Sequence, residues 1–324
     1  MADHAEDDFD GEIFIYRGGR APQHVTHVLI DKSVDEIEDY AFSSCKRLVQ
    51  VDTHNGLRKI GKYAFMRCIS LPHINLKSAV EIEESAFYNC ANLESIEFGD
   101  RLETIGLCAF QECTSLKTPL KLPSIITIGR AAFLGCQHIT DVEFSERLET
   151  IGANAFWKCE RLQRIVIPMK RDLFAFDYVW QKYSQFDGCE QLTTVDLVGG
   201  IHKTVASLHM ERWRTEMISG INQINQVLPN ACNKTVEIRQ WMNSVIDKLD
   251  HYKSEHYRYV KEGITLLELA LWKAKLDEKG EYAAEGKPKK AKIDEEIARK
   301  DKRMTCGADI VINNVLPFLQ LVCG

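Results

Sequence analysis

The stretch Leu93–Cys113, LESIEFGDRLETIGLCAFQEC, contains the unit from which most of the chain is built. Its ending, Ala-Phe-x-x-Cys, returns every 22 or 23 residues, and a degenerate seventh copy follows a seven-residue insertion. Self-similarity at such a period predicts a solenoid, in which each repeat buries its apolar side chains only against its neighbours. The cysteines of the seven copies are Cys45, Cys68, Cys90, Cys113, Cys136, Cys159 and Cys189.

Each repeat has two halves with different apolar periods. Ile96 and Phe98 alternate with polar residues, which is typical of a strand buried on one face, and stacked coils would join such strands into a parallel sheet. The second half of the repeat leads from Leu102 to Ala109 and Phe110. It predicts that the chain returns to the next strand through a short helical turn or a piece of 3₁₀ helix. A glycine often opens this return, where the chain turns back and a positive φ is expected. These glycines are Gly61, Gly106, Gly129 and Gly152.

The pattern I-x-x-x-A-F-x-x-C-x-x-L-x-x-I resembles the BspA-type leucine-rich repeat, over about 175 residues. The resemblance implies a leucine-rich-repeat solenoid that binds proteins or other ligands and has no catalytic residues. Beyond it, Ile264–Trp272 and Cys306–Ile310 resemble parts of intracellular eukaryotic members with a helical C-terminal extension. The predicted fold is therefore a solenoid with a parallel β-sheet on one face and short turns or 3₁₀ or helical returns, followed by an α-helical region.

The period and its loss predict four parts of the chain. Residues 1–24 hold an acidic head and a capping strand at Ile13–Tyr16, and residues 25–200 form the solenoid. Residues 201–279 have helical apolar spacing in two segments joined by a short loop, which predicts a helical hairpin. Residues 280–324 combine a charged linker with an apolar C-terminal segment.

The repeat fails at two places. Around Pro119 the apolar phase slips, because proline occupies an isoleucine position and Leu120 and Leu122 stand in place of the expected apolar pair. Since proline cannot donate to a strand ladder, we expect a bulge or a local irregularity there. After Ile167 the insertion brings in a group of aromatic residues. Such an insertion either contacts a partner or covers the end of the stack, and the sequence leaves both alternatives open. The aromatic residues are Phe174, Phe176, Tyr178 and Trp180.

The residues that flank the central apolar residue of each strand are expected on the exposed face of the sheet. Several are acidic, and they would form a stripe along the solenoid that suits a basic segment of another protein. The alternative is an ordinary solvated sheet face. The candidate partner-binding residues on this face are Asp52, Asn75, Glu97, Asp141, Glu143, Arg164 and Asp196.

No catalytic constellation, phosphate-binding glycine loop or metal-ligand spacing is found in the sequence. The cysteines of the repeat are expected to be buried packing groups, because cysteine behaves as a small apolar residue and no local Cys-x-x-Cys pair is present. Four cysteines lie outside the repeat position and are candidate exposed thiols, namely Cys108, Cys232, Cys306 and Cys323. The sequence therefore predicts a protein–protein interaction scaffold that is not an enzyme and needs no cofactor or metal.

The formal net charge of −6 argues against general binding to nucleic acid or to an anionic membrane. The acidic N-terminal sequence lacks the features of a secretory signal, and no apolar run reaches the ~18 residues of a membrane span. We therefore expect a cytoplasmic protein. Lys287–Lys292 is either a nuclear-import signal or part of a solvated linker.

A near-heptad stripe of apolar residues from Ile238 to Leu266 predicts that the second helical segment packs against another helix. It could form a coiled coil with a partner, form a homodimer, or pack on the preceding helix of the same chain. If the helix forms a coiled coil with a partner or a homodimer, an alternative function follows. The chain would then be a nuclear or regulatory adaptor that acts through its C-terminal helices, with the repeats as a positioning module.

Overall fold

The computed structural model describes residues 13–179, 182, 184–208 and 210–284, with side chains described as far as residue 275. The described residues divide into two compact units, one from residues 13–204 with 215–247 and the other from residues 205–214 with 248–284. Trp180, Cys306, Cys323, the Lys287–Lys292 cluster, the acidic head (residues 1–12) and the apolar C-terminal segment lie outside the described residues.

Among the described residues, nine parallel strands line one face of the solenoid, as the sequence predicts. They are β1 (Ile13–Tyr16), β2 (His27–Ile30), β4 (Gln50–Asp52), β6 (His73–Leu76), β8 (Ser95–Phe98), β10 (Leu120–Leu122), β12 (Asp141–Phe144), β14 (Arg164–Ile167) and β15 (Thr194–Leu197). Backbone pairing joins them in three runs, β1-β2-β4, β6-β8 and β10-β12-β14-β15. The register pairs equivalent residues of successive coils, so each central apolar side chain points into the core.

Six two-residue strands form a second parallel sheet on the return side of the coils. They are β3 (Glu36–Ile37), β5 (Lys59–Ile60), β7 (Glu81–Ile82), β9 (Thr104–Ile105), β11 (Thr127–Ile128) and β13 (Thr150–Ile151). This sheet was not predicted. Within the described part of residues 13–199, the expected turns are present but no helical or 3₁₀ return occurs. Pairing with the neighbouring coil satisfies the backbone groups of the return, so a local helical turn is not needed.

The glycines at the start of the returns are there for a reason other than the predicted one. None of the four has a positive φ, so that expectation is wrong. A Cβ atom on Gly129 would lie 2.4 Å from the carbonyl carbon of Gly106, and one on Gly152 would lie 2.4 Å from the amide nitrogen of Arg130. The backbones of successive coils approach so closely here that only glycine fits.

The positive φ angles occur elsewhere in the turn, one residue before the alanine and one residue before the cysteine. In one coil these residues are Cys108 (φ 53°) and Glu112 (φ 60°). Their amide groups donate to the next coil, Cys108 N to Arg130 O at 2.9 Å and Glu112 N to Leu134 O at 2.8 Å. The turns are therefore stacked by backbone hydrogen bonds as regularly as the strands.

The phenylalanine and cysteine of the repeat form two continuous columns in the core. Neighbouring phenylalanine rings from Phe42 to Phe186 stack with centroids 5.0 to 5.8 Å apart. Each thiol from Cys68 to Cys189 donates to the carbonyl oxygen of the phenylalanine in the preceding coil, at 3.0 to 3.2 Å. Cysteine is thus a hydrogen-bond donor as well as a small apolar side chain, and all seven are buried and unpaired by disulfides.

Tyr16 closes the N-terminal end of the phenylalanine column. Its ring lies 4.9 Å from that of Phe42, and its hydroxyl accepts the amide hydrogen of Glu38 at 3.2 Å. The side chain is fully buried, and burial raises its pKa. The strand predicted at Ile13–Tyr16 is present and pairs with β2, so it provides the first coil with both a strand and a ring to pack against.

The predicted helical C-terminal region is confirmed. It contains α1 (Gly200–Val205), α2 (Glu211–Val227), a 3₁₀ turn (Leu228–Asn230) and α3 (Lys234–Ala284). Over residues 215–247 the helices form an antiparallel pair, in which the Trp241 indole donates to Gly220 O at 3.0 Å.

Side chains of this helical pair take the place of a further coil. Asn225 Oδ1 accepts the amide hydrogen of Val195 in β15 at 2.8 Å, and Thr235 Oγ1 accepts that of Phe186 at 2.9 Å. Lys234 Nζ donates to Leu192 O at 2.9 Å, and burial lowers the pKa of this amine. The end of the solenoid is therefore closed by polar caps as well as by apolar packing.

The predicted irregularity at Pro119 is present between β8 and β10. Leu120 pairs with Val142, so the strand begins one residue later than in the other coils. In place of strand pairing, Lys117 N donates to Glu94 O at 3.1 Å, and the Lys117 amine bonds the Glu94 carboxylate. The sheet is interrupted here, and the turns remain continuous.

Candidate protein-binding face

The exposed side of the large sheet carries two columns of side chains that follow the solenoid axis. The strand register places Leu29 beside Asp52, Asn75 beside Glu97 and Glu143 beside Val166. The predicted residues of this face therefore lie on one surface. Its second column also contains Lys121, which lies beside Glu143 and interrupts the acidic stripe.

Several carboxylates of this face have neighbouring donors. Lys77 Nζ lies 2.7 Å from Glu97, and this hydrogen bond with the lysine charge lowers the pKa of the carboxyl. Arg164 Nε lies 2.6 Å from Asp196. The face is therefore a pattern of alternating charge with an acidic excess, rather than an uninterrupted negative stripe.

The predicted residues come together at the C-terminal end of the face, where a cleft of about 320 Å³ opens. Glu143, Arg164 and Asp196 project from three adjacent strands, with Val166 between them. Asp141 lies beside Arg164 in the first column. Asp52, Asn75 and Glu97 lie on the same face but do not line this cleft.

The wall of the cleft comes from residues that the sequence did not single out as site residues. Ile221, Asn222 and Asn225 of α2 face the sheet across it, and Gly199 and Gly200 form one end. Both glycines have positive φ, 75° and 76°, so the chain can turn sharply from β15 into α1. The double glycine was a readable signal for a boundary turn. The asparagines carry no local signal, because their role depends on where α2 packs.

The insertion after Ile167 both covers the core and displays aromatic residues. Phe174 is buried against Phe186 with ring centroids 5.9 Å apart, and it pairs with Ile151 at the edge of the second sheet. Phe176 and Tyr178 form a T-shaped pair at 5.3 Å. Tyr178 is 84% exposed. Phe174 therefore covers the core, as one alternative predicts, whereas partner contact by the exposed Tyr178 stays a prediction.

A buried polar network fixes the base of this insertion. The Asp177 carboxylate accepts from Asn154 Nδ2 at 3.3 Å and from Val179 N at 2.9 Å. The backbone of Asp177 exchanges two hydrogen bonds with that of Lys182. The Asn154 amide oxygen also accepts a short hydrogen bond from the Ser184 hydroxyl. The exposed Tyr178 thus extends from a base that these hydrogen bonds hold.

Among the residues that the structure describes, no group of three or more His, Cys, Asp and Glu side chains is placed to hold a metal ion. Burial raises the pKa of the Cys113 and Cys136 thiols well above the ordinary value, which opposes thiolate formation. Cys232 is exposed, whereas Cys108 is half-buried and burial raises its pKa.

The described helices include none that combines the length and apolar character of a membrane span. This holds for α3 as well, since charged residues recur along its described side chains.

Comparison with protein-family models gives one match, to the family described as the BspA-type leucine-rich repeat region. The match contains six copies and covers residues 21–119 and 118–234. The matched region includes the strands of the sheet face from β2 to β15, the insertion and α2. A search of curated protein sequences found no match.

Three solved structures are similar over parts of their length. A leucine-rich repeat protein of T. pallidum is 28% identical, with a TM-score of 0.43, over 47% of this chain and 72% of that one. A leucine-rich cell surface protein of Faecalibacterium prausnitzii is 21% identical, with a TM-score of 0.36, over 53% and 60%. A leucine-rich repeat protein of Bacteroides ovatus is 23% identical, with a TM-score of 0.34, over 54% and 61%. The chain therefore spans less than two thirds of the length of the last two. All three TM-scores are below 0.5, so the family match alone carries the assignment.

Proposed function

The chain belongs to the BspA-type leucine-rich repeat family, and from this premise we propose that it is a non-catalytic scaffold that binds a partner protein on its exposed sheet face. Stacked repeats offer a long continuous surface, and in such folds that surface is where partners commonly bind. Specificity would come from side chains that vary from coil to coil, because the buried positions are nearly the same in all of them.

The observation that carries this proposal is the convergence of Glu143, Arg164 and Asp196 in one cleft. The exposed lining of the cleft is more polar than apolar, which suits the charged side chain of an inserted segment better than an apolar metabolite. Since carboxylates outnumber the single guanidinium there, a lysine or arginine of the partner is the favoured occupant.

The exposed Tyr178 favours a second contact point. Tyrosine is enriched at the centre of protein interfaces, since its ring supplies a large area with few rotatable bonds. Its hydrogen-bonded base would reduce the ordering entropy that is lost on binding. We place the protein in the cytoplasm, on the sequence features alone.

The test is affinity capture from cells that express the protein, with quantification of every captured protein by mass spectrometry. Glu143→Lys reverses a charge in the cleft. Glu149→Lys makes the same change six residues later, on the return side of the same coil, where the side chain is also exposed. The proposal predicts a partner that is lost with Glu143→Lys and retained with Glu149→Lys.

The whole stripe is tested by changing Asp52, Glu97, Glu143 and Asp196 together to Asn. A partner that binds through a basic segment should also be released by added salt, because exposed charge pairs are screened. Equal capture by the parent protein and both lysine variants, for every partner found, would contradict the sheet-face proposal.

A further inference from the structure

The second half of α3 carries an unusual group of exposed apolar residues. Leu266 is 67% exposed, Leu269 is 60% exposed and Trp272 is 68% exposed. With Leu267 and Leu271, which are also exposed, they form a group that we call the apolar collar. Large exposed apolar groups of this kind mark surfaces that another segment or protein covers.

The apolar collar extends around the helix rather than along one side. Successive residues of an α-helix are rotated by about 100°, so Leu267 and Leu269 lie about 200° apart. Within Leu266–Trp272 the one charged residue is Glu268. A helix that is apolar on all sides is normally buried, and a single flanking helix covers only one side of it.

We propose that residues 308–322 of the same chain cover the apolar collar. This segment, ADIVINNVLPFLQLV, has nine large aliphatic or aromatic residues and a single charged one, Asp309. It is the other strongly apolar stretch of the sequence outside the solenoid. Burying two such stretches against each other removes both from water.

The intervening chain has a suitable length. Residue 284 ends α3, and 15 residues of helix separate it from Leu269, a distance of about 23 Å. The 23 residues from 285 to 307 can span about 26 Å without being extended. When the span of a linker matches the separation of two sites, their effective concentration is in the millimolar range. This concentration favours the same chain over a second copy.

The experiment uses the full chain with the photoreactive residue p-benzoylphenylalanine at position 269. Equal amounts of unlabelled and ¹⁵N-labelled protein are mixed, irradiated, digested and analysed by mass spectrometry. We expect crosslinks to peptides within residues 308–322, with both halves of each crosslink carrying the same isotope. The yield should not depend on protein concentration.

Two controls make the result specific. The same photoreactive residue at position 248, which is exposed on the same helix and about 31 Å away, should not crosslink to the segment. The double variant Leu316→Asn, Phe318→Asn should lower the crosslink yield at position 269 at least about tenfold, since two buried apolar side chains are lost.

Each alternative occupant gives a different outcome. Crosslinks that join the two isotopes would show that a second copy covers the apolar collar, and would overturn the proposal. Crosslinks to any segment other than 308–322, or the absence of crosslinks from position 269, would overturn it as well. Circular dichroism of each variant confirms that the helices are formed.

Discussion

The turns and the exposed sheet face of the solenoid arise from the same repeats, but the repeats restrict them to very different degrees. At the turns, the alanine, phenylalanine and cysteine of each coil are buried and bonded to the next coil. On the face, one column contains Leu29, Asp52, Asn75, Glu97, Lys121 and Glu143 in successive strands. The turns therefore define the fold, whereas the face can differ from coil to coil without disturbing it.

The largest expected effect comes from breaking the phenylalanine column at its centre. Phe110 stacks on Phe87 at 5.1 Å and on Phe133 at 5.3 Å. Phe110→Ala should lower the free energy of unfolding by about 3–5 kcal/mol, because the cavity cannot close between two fixed coils. Denaturant unfolding followed by circular dichroism measures it. The exposed Tyr178→Ala is the control and should change it by less than about 0.5 kcal/mol. Similar losses of unfolding free energy in the two variants would contradict the claim that the buried column, and not the exposed surface, holds the fold.

The close approach of the coils gives the next effect, and two glycine substitutions should have opposite signs. Gly129→Ala places a Cβ against the backbone of the preceding coil, and we expect a loss of about 1–3 kcal/mol. Gly263 lies within α3 with nothing within 4 Å, so Gly263→Ala should stabilise by about 0.5–1 kcal/mol. Thermal unfolding of both variants distinguishes crowding from a general effect of adding a methyl group. A stabilising Gly129→Ala would disprove crowding.

The buried thiols should make the solenoid sensitive to alkali. Burial raises the pKa of Cys45 to about 11 and that of Cys113 well above 9.0, the ordinary value that applies in the unfolded chain. The folded state therefore disfavours the thiolate, which the unfolded chain forms above pH 9. The stability that the neutral thiols contribute is fully present below pH 9 and is lost as the pH rises above it. For the fully buried Cys113 thiol the loss is about 1.4 kcal/mol per pH unit, from pH 9 up to its raised pKa.

Cys113→Ala isolates one of these contributions. Above pH 9 the free energy of unfolding of the variant should fall less steeply with pH than that of the parent, by about 1.4 kcal/mol per unit. Cys232→Ala, which removes the exposed thiol, is the matched control and should leave the slope near that of the parent. Parallel pH dependence of the Cys113→Ala variant and its parent would contradict a buried neutral thiol.

The smallest effect is expected on the sheet face. Arg164 and Asp196 are bonded at 2.6 Å, but both side chains are about 40% exposed. A double-mutant cycle with Arg164→Ala and Asp196→Ala should give a coupling of about 0.2–1 kcal/mol, since solvent screens the pair. A coupling above about 2 kcal/mol would show that the cleft residues hold the fold together. It would contradict the claim that the turns, and not the sheet face, define the fold.

The sequence predicted the solenoid well because its signal is repeated. Seven copies of one pattern place Phe110 and Cys113 in the core and fix the strands of the large sheet, including the slipped strand after Pro119. The second sheet was missed because a two-residue strand such as Thr104–Ile105 is too short to have a period. The role of Gly129 was misread for a related reason. A recurrent glycine signals either an unusual φ or close packing, and sequence alone does not distinguish them.

The candidate site was predicted only in part, because its two sides come from distant parts of the chain. The strand period correctly placed Glu143, Arg164 and Asp196 on one face. It contained nothing on Asn222 or Asn225, which reach the cleft only through the packing of α2 against the last coil. Asn225 contacts Val195 across 30 residues of sequence, and Thr235 contacts Phe186 across 49. Contacts of that range follow from tertiary packing rather than from local pattern.

The central claim is that the sheet face binds the partner while the return side does not. Carbodiimide labelling of carboxylates tests it directly, with the protein compared alone and in complex with a captured partner. The account predicts that labelling of Glu143 and Asp196 falls severalfold in the complex and that labelling of Glu149, on the return side of the same coil, stays unchanged. Protection of Glu149 with unchanged labelling of Glu143 and Asp196 would contradict it.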